Sequence, residues 1–202
     1  MKIEYRNATI SDMKDVAACH KISFQGTFIA TWPLMLIEKY YAEYLRRDNL
    51  FILATYRKRI IGFCMGYKAG SKSKDIFLKK HFIMLLLSIS YRIILFDRIV
   101  LKRLWGGVKK RNLQVLYKNS EMKQNAGADL LSICVLPNFR RFGIAKEMIT
   151  RFETLLTESH IADYTLSVYN TNTSAINFYK KQGLLLSCKN SITSKFYKIV
   201  NK

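Results

Sequence analysis

The sequence predicts an α/β chain folded as one domain, and three observations predict it. From Asp129 onward, LLSICVLP, GIAKEMITRFETLLTE, YTLSVYN and TSAINFYKKQG read as strand, helix, strand, helix, which implies a parallel strand pair joined by a crossover. Earlier, LFILATY and IIGFCMGYKAG are β-rich runs separated by the polar Arg57, Lys58 and Arg59, the pattern of a hairpin. Finally, 202 residues, half of them hydrophobic, can bury one sizeable core, and neither an internal repeat nor a Pro-, Gly- or Ser-rich linker marks a second domain.

Each element has a local reason. After the short strand-like IEYRN, Thr9 precedes Asp12 by three residues, a pattern that satisfies the free amides of a helix N-terminus. Ile10, Met13, Val16, Ala17 and Phe24 follow at helical spacing, and His20 falls in the same apolar arc, as a packed core histidine would. A second helix starts near Pro33, because proline suits the first helical turn, and runs through PLMLIEKYYAEYLRR. Ile144, Ala145, Met148, Ile149, Phe152, Leu155 and Leu156 form one apolar face, expected to lie on the sheet. Gly183 closes the following helix, and SKFYKIVNK reads as a last strand.

Several classes are excluded or disfavoured. Cys19, Cys64, Cys134 and Cys188 stand far apart in sequence, without a C-x-x-C pair or a His cluster, so neither a metal site nor a disulfide framework is expected. A reduced, cytoplasmic setting fits this usage. MKIEYRNATISDM is charged throughout and has no apolar core, which argues against a secretory signal. The longest apolar run, Phe82 to Tyr91, falls short of the roughly 20 residues of a spanning helix.

Charge is the unusual feature. With 34 basic and 14 acidic residues the formal net charge is +20, so anionic partners are expected. Lys72, Lys74, Lys79, Lys80, Arg92, Arg98, Lys102, Arg103, Lys109, Lys110, Arg111 and Lys118 face only Asp75 and Asp97 in the span 72–118, which therefore holds half of the excess. Nucleic acid, anionic lipid and a phosphorylated small molecule all fit this charge.

The stretch VLPNFRRFGIAKEM carries a strand end, a turn and a helix start near Gly143. Unpaired amides and the positive end of a helix dipole converge there, a setting for an anion. Gly143 lacks a side chain that would hold a phosphate off the backbone, Ala145 keeps the next turn small, and Arg140 and Arg141 add mobile positive charge. Taken alone, the same residues also fit a solvated surface turn.

V-L-P-N-F-R-R-F-G-I-A resembles the R/Q-x-x-G-x-G/A acetyl-CoA loop of the GNAT superfamily of acetyl-CoA-dependent N-acetyltransferases. L-S-V-Y-N-T-N-T-S-A-I-N-F-Y-K-K-Q-G-L is similar to a second hallmark of that superfamily, with Asn172, Ala175, Phe178, Tyr179 and Gly183 at the usual spacings. The resemblance covers residues 129–188 well and residues 1–70 weakly. It implies a mixed, mostly antiparallel sheet with a central splayed parallel pair, flanked by helices, and acetyl-CoA as the cofactor. It further implies that the coenzyme is held by Cys134 and Val135 through backbone amides, by Arg140, Arg141, Phe142, Gly143, Ile144 and Ala145 at the loop, and by Asn172. Tyr179 would be the catalytic acid toward the departing thiolate, a task that suits a phenol of ordinary pKa about 10. Gln25, Thr27 and Phe28, between the first two helices, would line the acceptor site.

No general base stands out among Asp129, His20 and Ser132, and direct transfer is simpler than an acyl-enzyme on Cys134, which has no evident histidine partner. Residues 71–128 have no counterpart in the minimal family pattern and read as an insertion of basic amphipathic helices, with strands still open because of the β-branched content. Three roles for it remain open: a packing elaboration with a solvated basic face, a peripheral membrane contact at the inner membrane surface, and an anionic acceptor site. The favoured function is acetylation of a primary amine on a small anionic metabolite such as a nucleotide-linked amino sugar. Rival readings are a protein or peptide amine as acceptor, and a non-catalytic protein binding nucleic acid or a membrane surface. Nucleic acid is not the expected partner, because the basic span lacks a base-stacking aromatic pattern.

Overall fold

The computed structural model describes residues 1–95, 97, 99–100 and 126–200. Among these, seven strands form one sheet: β1 (Glu4–Asn7), β2 (Leu50–Tyr56), β3 (Arg59–Lys68), β4 (Ala128–Val135), β5 (Asp163–Tyr169), β6 (Leu185–Lys189) and β7 (Thr193–Ile199). Their spatial order is β1-β2-β3-β4-β5-β7-β6, antiparallel throughout except for the β4–β5 pair. Helices α1 (Met13–Ser23), α2 (Leu34–Asp48), α3 (Ser73–Lys80), α4 (Phe82–Ile94), α5 (Ile144–Glu158) and α6 (Thr173–Lys181) complete the described fold. The mixed sheet with one parallel pair is as expected.

Side-chain alternation along β2 explains the two cores. Phe51 and Leu53 point into a cluster with Met13, Val16, Leu36, Ile37 and Tyr41 of α1 and α2, while Leu50, Ile52 and Ala54 point into a cluster with α5. A central strand covered on both faces is apolar at every position, which is why LFILATY shows no polar alternation. The α5 face docks as expected through Ile144, Met148, Ile149, Phe152 and Leu156, each buried side chain contributing about 2 kcal/mol of apolar transfer. Gly66 makes this docking close: a Cβ there would stand 2.6 Å from the Phe152 ring and 2.6 Å from the Asp129 carbonyl oxygen.

Local signals account for the ends of elements. Asp12 accepts from the Thr9 amide at 2.8 Å and forms a 2.7 Å ion pair with Arg6, which holds its carboxyl well below the usual carboxylate range. Ile10, expected on the apolar arc, is exposed, because residues Ile10–Asp12 form a 3₁₀ turn whose tighter winding breaks the register of the α-helix that follows. The hairpin turns on two residues, Arg57 and Lys58, both with positive φ, the geometry that matches strand twist. Arg59 already belongs to β3.

β6 was not expected from the sequence. It is a five-residue edge strand, exposed along most of its length, so LLSCK carries no periodic apolar signal. The described part of the expected insertion is helical, and it is tied down at several points. Buried Asp48 accepts from the Lys68 amide and from the hydroxyls of Ser71 and Ser73, and Glu43 pairs with Arg47 and Lys80. Arg98, Lys102, Arg103, Lys109, Lys110, Arg111 and Lys118 lie outside the described residues. On α4 the outward side carries Ile83, Leu86, Leu87, Tyr91 and Ile94 rather than charge.

Candidate active site

The site begins where the parallel pair comes apart. β4 and β5 are paired only at Ala128/Tyr164 and Asp129/Thr165. Next, the β3–β4 register jumps from Gly66/Leu130 to Met65/Ser132, so Leu131 is an extra residue in β4. A bulge of this kind bends its strand, and here it turns β4 away from β5 directly after the last shared pair. The Thr165 hydroxyl donates to the Asp129 carboxylate at the fork.

Beyond the bulge, alternation decides which backbone groups face the gap. The Leu136 amide donates to the Ile61 carbonyl at 2.8 Å, so Leu136, Cys134 and Ser132 turn their amides toward β3. Ile133 and Val135 turn theirs toward the opening. Val135 thus turns its amide to the gap, whereas Cys134, expected to do the same, does not: its backbone belongs to the β3–β4 ladder, and its thiol lies in the α1–α2 core 3.8 Å from that of Cys19. These two cysteines are 115 residues apart in sequence, which is why spacing alone kept them separate.

From β4 the chain makes a 3₁₀ turn at Pro137–Phe139 and enters α5 through Arg141, with φ of 70°, and Gly143, with φ of 77°. Gly143 is the N-cap residue, no side chain caps the helix, and nothing stands within 4 Å of where its Cβ would be. Among the described residues, no hydrogen-bond partner is found for the amides of Arg141 to Lys146. Ile144 is buried and anchors the helix start, Ala145 is half-buried, and Phe142 is exposed. Arg140 is not the mobile charge expected, since its Nε donates to the Val135 carbonyl at 3.1 Å and braces the turn. Glu147, the acid in the first turn, is paired with Arg151 at 2.8 Å.

α6 starts differently. Asn172 Oδ1 accepts from the Ala175 amide at 3.1 Å and so caps the helix. One turn and more further on, Tyr179 is buried in the cluster that also contains Val135, Leu166 and Val168, with Phe178 and Phe196 against its ring. Burial pushes its phenol well above the usual tyrosine range, so it holds its proton at any ordinary pH.

His20 is the core histidine expected. Its Nδ1 lies 2.6 Å from the Tyr41 hydroxyl, and burial, assisted by Lys21, pulls its pKa down to about 4. Tyr41 donates in turn to Ser132 Oγ at 3.4 Å, so α1, α2 and β4 are linked by polar groups within an apolar layer. Tyr41 carried no sequence signal for this: its ring is an ordinary apolar-face position, and its partners lie 21 and 91 residues away.

Gln25 and Thr27, expected to line the acceptor site, border a cleft of about 240 Å³ together with Lys21, Thr31, Arg92 and Asp97. Phe28 instead packs edge-on against Trp32, beside the α1–α2 core. Arg92, from the end of α4, pairs with Asp97 at 2.9 Å and donates to the Thr31 carbonyl at 2.7 Å. Sequence reading missed Lys21 and Arg92 as cleft residues because only the packing of α4 against the α1–α2 connection brings them together.

A splayed parallel pair with free strand amides, leading to an uncapped helix start with room above its glycine, fits an acyl carrier bearing a diphosphate. Residues 111–184 match the acetyltransferase (GNAT) family. No curated protein sequence matches the chain. Among solved structures, the fold is similar to PaiA N-acetyltransferase from Thermoplasma acidophilum in complex with coenzyme A (15% identity, 98% of this chain and 99% of that one, TM-score 0.59). It is also similar to arylalkylamine N-acetyltransferase 2 from Aedes aegypti (15% identity, all of both chains, TM-score 0.64). A third likeness is to the ribosomal-protein-S18-alanine N-acetyltransferase from Escherichia coli (11% identity, 100% of this chain and 96% of that one, TM-score 0.59).

Proposed function

We propose that the chain is an acetyl-CoA-dependent N-acetyltransferase that acts on the primary amine of a small anionic metabolite, such as a nucleotide-linked amino sugar, by direct transfer. Bound acetyl-CoA supplies an acetyl group activated as a thioester. The backbone amides from Arg141 to Lys146 hold the diphosphate, with Phe142, Gly143, Ile144 and Ala145 shaping the cradle and Arg141 adding charge. Val135, joined by Ile133, offers strand amides to the pantetheine arm and the carbonyl oxygen, a fixed donor set of the kind that stabilises developing negative charge. As the neutral amine forms its bond to the carbonyl carbon and the carbon–sulfur bond breaks, Tyr179, kept protonated by burial, gives its proton to the departing sulfur, and the proton lost by the attacking nitrogen restores the phenol. Asn172 fixes the start of the helix that carries Tyr179.

The observation that carries this reading is the uncapped start of α5, whose free amides have open space above Gly143. For the acceptor, the support is the cleft at Gln25 and Thr27. Lys21 and Arg92 line it with, among the described residues, only Asp97 as an acidic counterpart, which suits a ligand bearing negative charge. Its volume of about 240 Å³ suits the amine-bearing end of a small molecule better than an extended peptide.

The test is thiol release from acetyl-CoA over a panel of nucleotide-linked amino sugars, free amino sugars, polyamines and peptides. Turnover is expected with the anionic amino sugars, and a Lys21→Glu variant should raise KM for them while leaving acetyl-CoA affinity intact. Turnover confined to peptides or to polyamines would overturn the acceptor assignment.

A further inference from the structure

We infer that the outward half of α4 docks on the surface of an anionic lipid bilayer. At the helical angle of about 100° per residue, Phe82, Ile93, Leu86, Ser90, Ile83, Ile94, Leu87 and Tyr91 follow one another around one side of α4. Every one of them is exposed, Ile83 at 72%, Leu87 at 67% and Ile94 at 73%, and Ser90 is the sole polar residue among them. The inward side is occupied: Leu85 is buried in the α1–α2 core, with Met84 packed against it. Soluble proteins rarely leave a continuous apolar face of this kind to water.

The face is also held in place. Arg92 is bonded to the Thr31 carbonyl, Lys80 reaches Glu43 at 3.2 Å, and Asp48 fixes the entry to α3 through Ser71 and Ser73. A helix anchored at both ends with its outer half apolar is a preformed docking surface rather than a fraying segment.

Charge selects the occupant. Lys72, Lys74 and Lys79 are exposed on and just before α3, the helix that runs directly into α4, and exposed Leu78 extends the apolar surface onto the same helix. A chain of net charge +20 is repelled by a second copy of itself but attracted to anionic headgroups. α4 has 13 residues, and among the described residues no helix is long and apolar enough to cross a membrane, so α4 lies in the interfacial plane with its apolar half inserted. Arg92, which anchors the helix, also borders the proposed acceptor cleft, but none of the lipid-facing residues belongs to the coenzyme or acceptor sites, so this inference stands or falls apart from the acceptor assignment.

The experiment is co-sedimentation of the full chain with phosphatidylcholine vesicles, with and without phosphatidylglycerol, for the wild type and an Ile83→Glu/Leu87→Glu variant. Binding is expected only to vesicles containing phosphatidylglycerol, weakening with salt, and lower by about a hundredfold in the variant. Coenzyme A affinity and melting temperature should match in the two proteins, because both substituted positions face outward. The inference is overturned if the wild type ignores the anionic vesicles, or if the variant binds them equally well. A wild-type dimer in analytical ultracentrifugation that the variant dissociates would equally overturn it, since the face would then serve a second copy.

Discussion

α5 and α6 both follow strands of the parallel pair, yet one is closed at its start and the other is left open. Asn172 caps α6 from within the chain, whereas α5 begins at Gly143 with no capping side chain and with free amides from Arg141 to Lys146. An N-cap side chain contributes about 1 kcal/mol relative to alanine and a few tenths relative to glycine, so the open start at Gly143 carries only a small local cost. The comparison teaches that the two ends do different work. Under the proposed function, one secures a helix that carries a side chain for chemistry, and the other reserves its donors for a ligand.

Three substitutions test this difference, from the largest effect to the smallest. Gly143→Glu should lower coenzyme A affinity by about a thousandfold, because a carboxylate would occupy the open space, compete for the amides and repel the diphosphate, besides straining a backbone at positive φ. Calorimetric titration measures it, and unchanged affinity would mean that the open end is merely solvated. Tyr179→Phe should reduce kcat about a hundredfold with little change in the affinity for acetyl-CoA, since its proton is needed only as the sulfur departs. Equal kcat would reduce Tyr179 to a packing residue. Asn172→Ala should lower stability by about 1 kcal/mol in urea denaturation and change coenzyme A affinity by no more than about twofold, the signature of a cap rather than a ligand-binding end. A large affinity loss with unchanged stability would reverse the roles of the two helix ends.

Much of this contrast was legible in the sequence because it is written in neighbouring residues. Asn172 stands three residues from the amide that it caps, and Gly143 lies at the boundary between a buried strand and a periodic helix. The Thr9–Asp12 box, the hairpin and the apolar face of α5 are local patterns of the same kind. What could not be read depends on partners distant in the chain. The bulge at Leu131 exists only in the pairing of β3 with β4, and it decides that Val135 rather than Cys134 faces the gap. Arg140 looked like a loose charge because the carbonyl that holds it is a backbone group of β4, invisible to side-chain patterns. The outward direction of the α4 apolar half was hidden for a similar reason, since a run rich in Ile and Leu does not say which side the core will take.

Within the proposed chemistry, the scaffold separates tasks by layer. The α5 side of the sheet holds Tyr179 and the Val135 edge in one apolar cluster, while His20, Tyr41 and Ser132 form a polar line through the opposite layer. With its pKa pulled down to about 4, His20 is neutral at physiological pH and enclosed, which fits a structural link better than a base.

The account depends most on the place of the diphosphate. A crystal structure of the coenzyme A complex tests it directly: diphosphate oxygens should lie within about 3 Å of several amides between Arg141 and Lys146, above Gly143. A bound coenzyme whose diphosphate rests elsewhere, with those amides turned to solvent or to protein atoms, would contradict it.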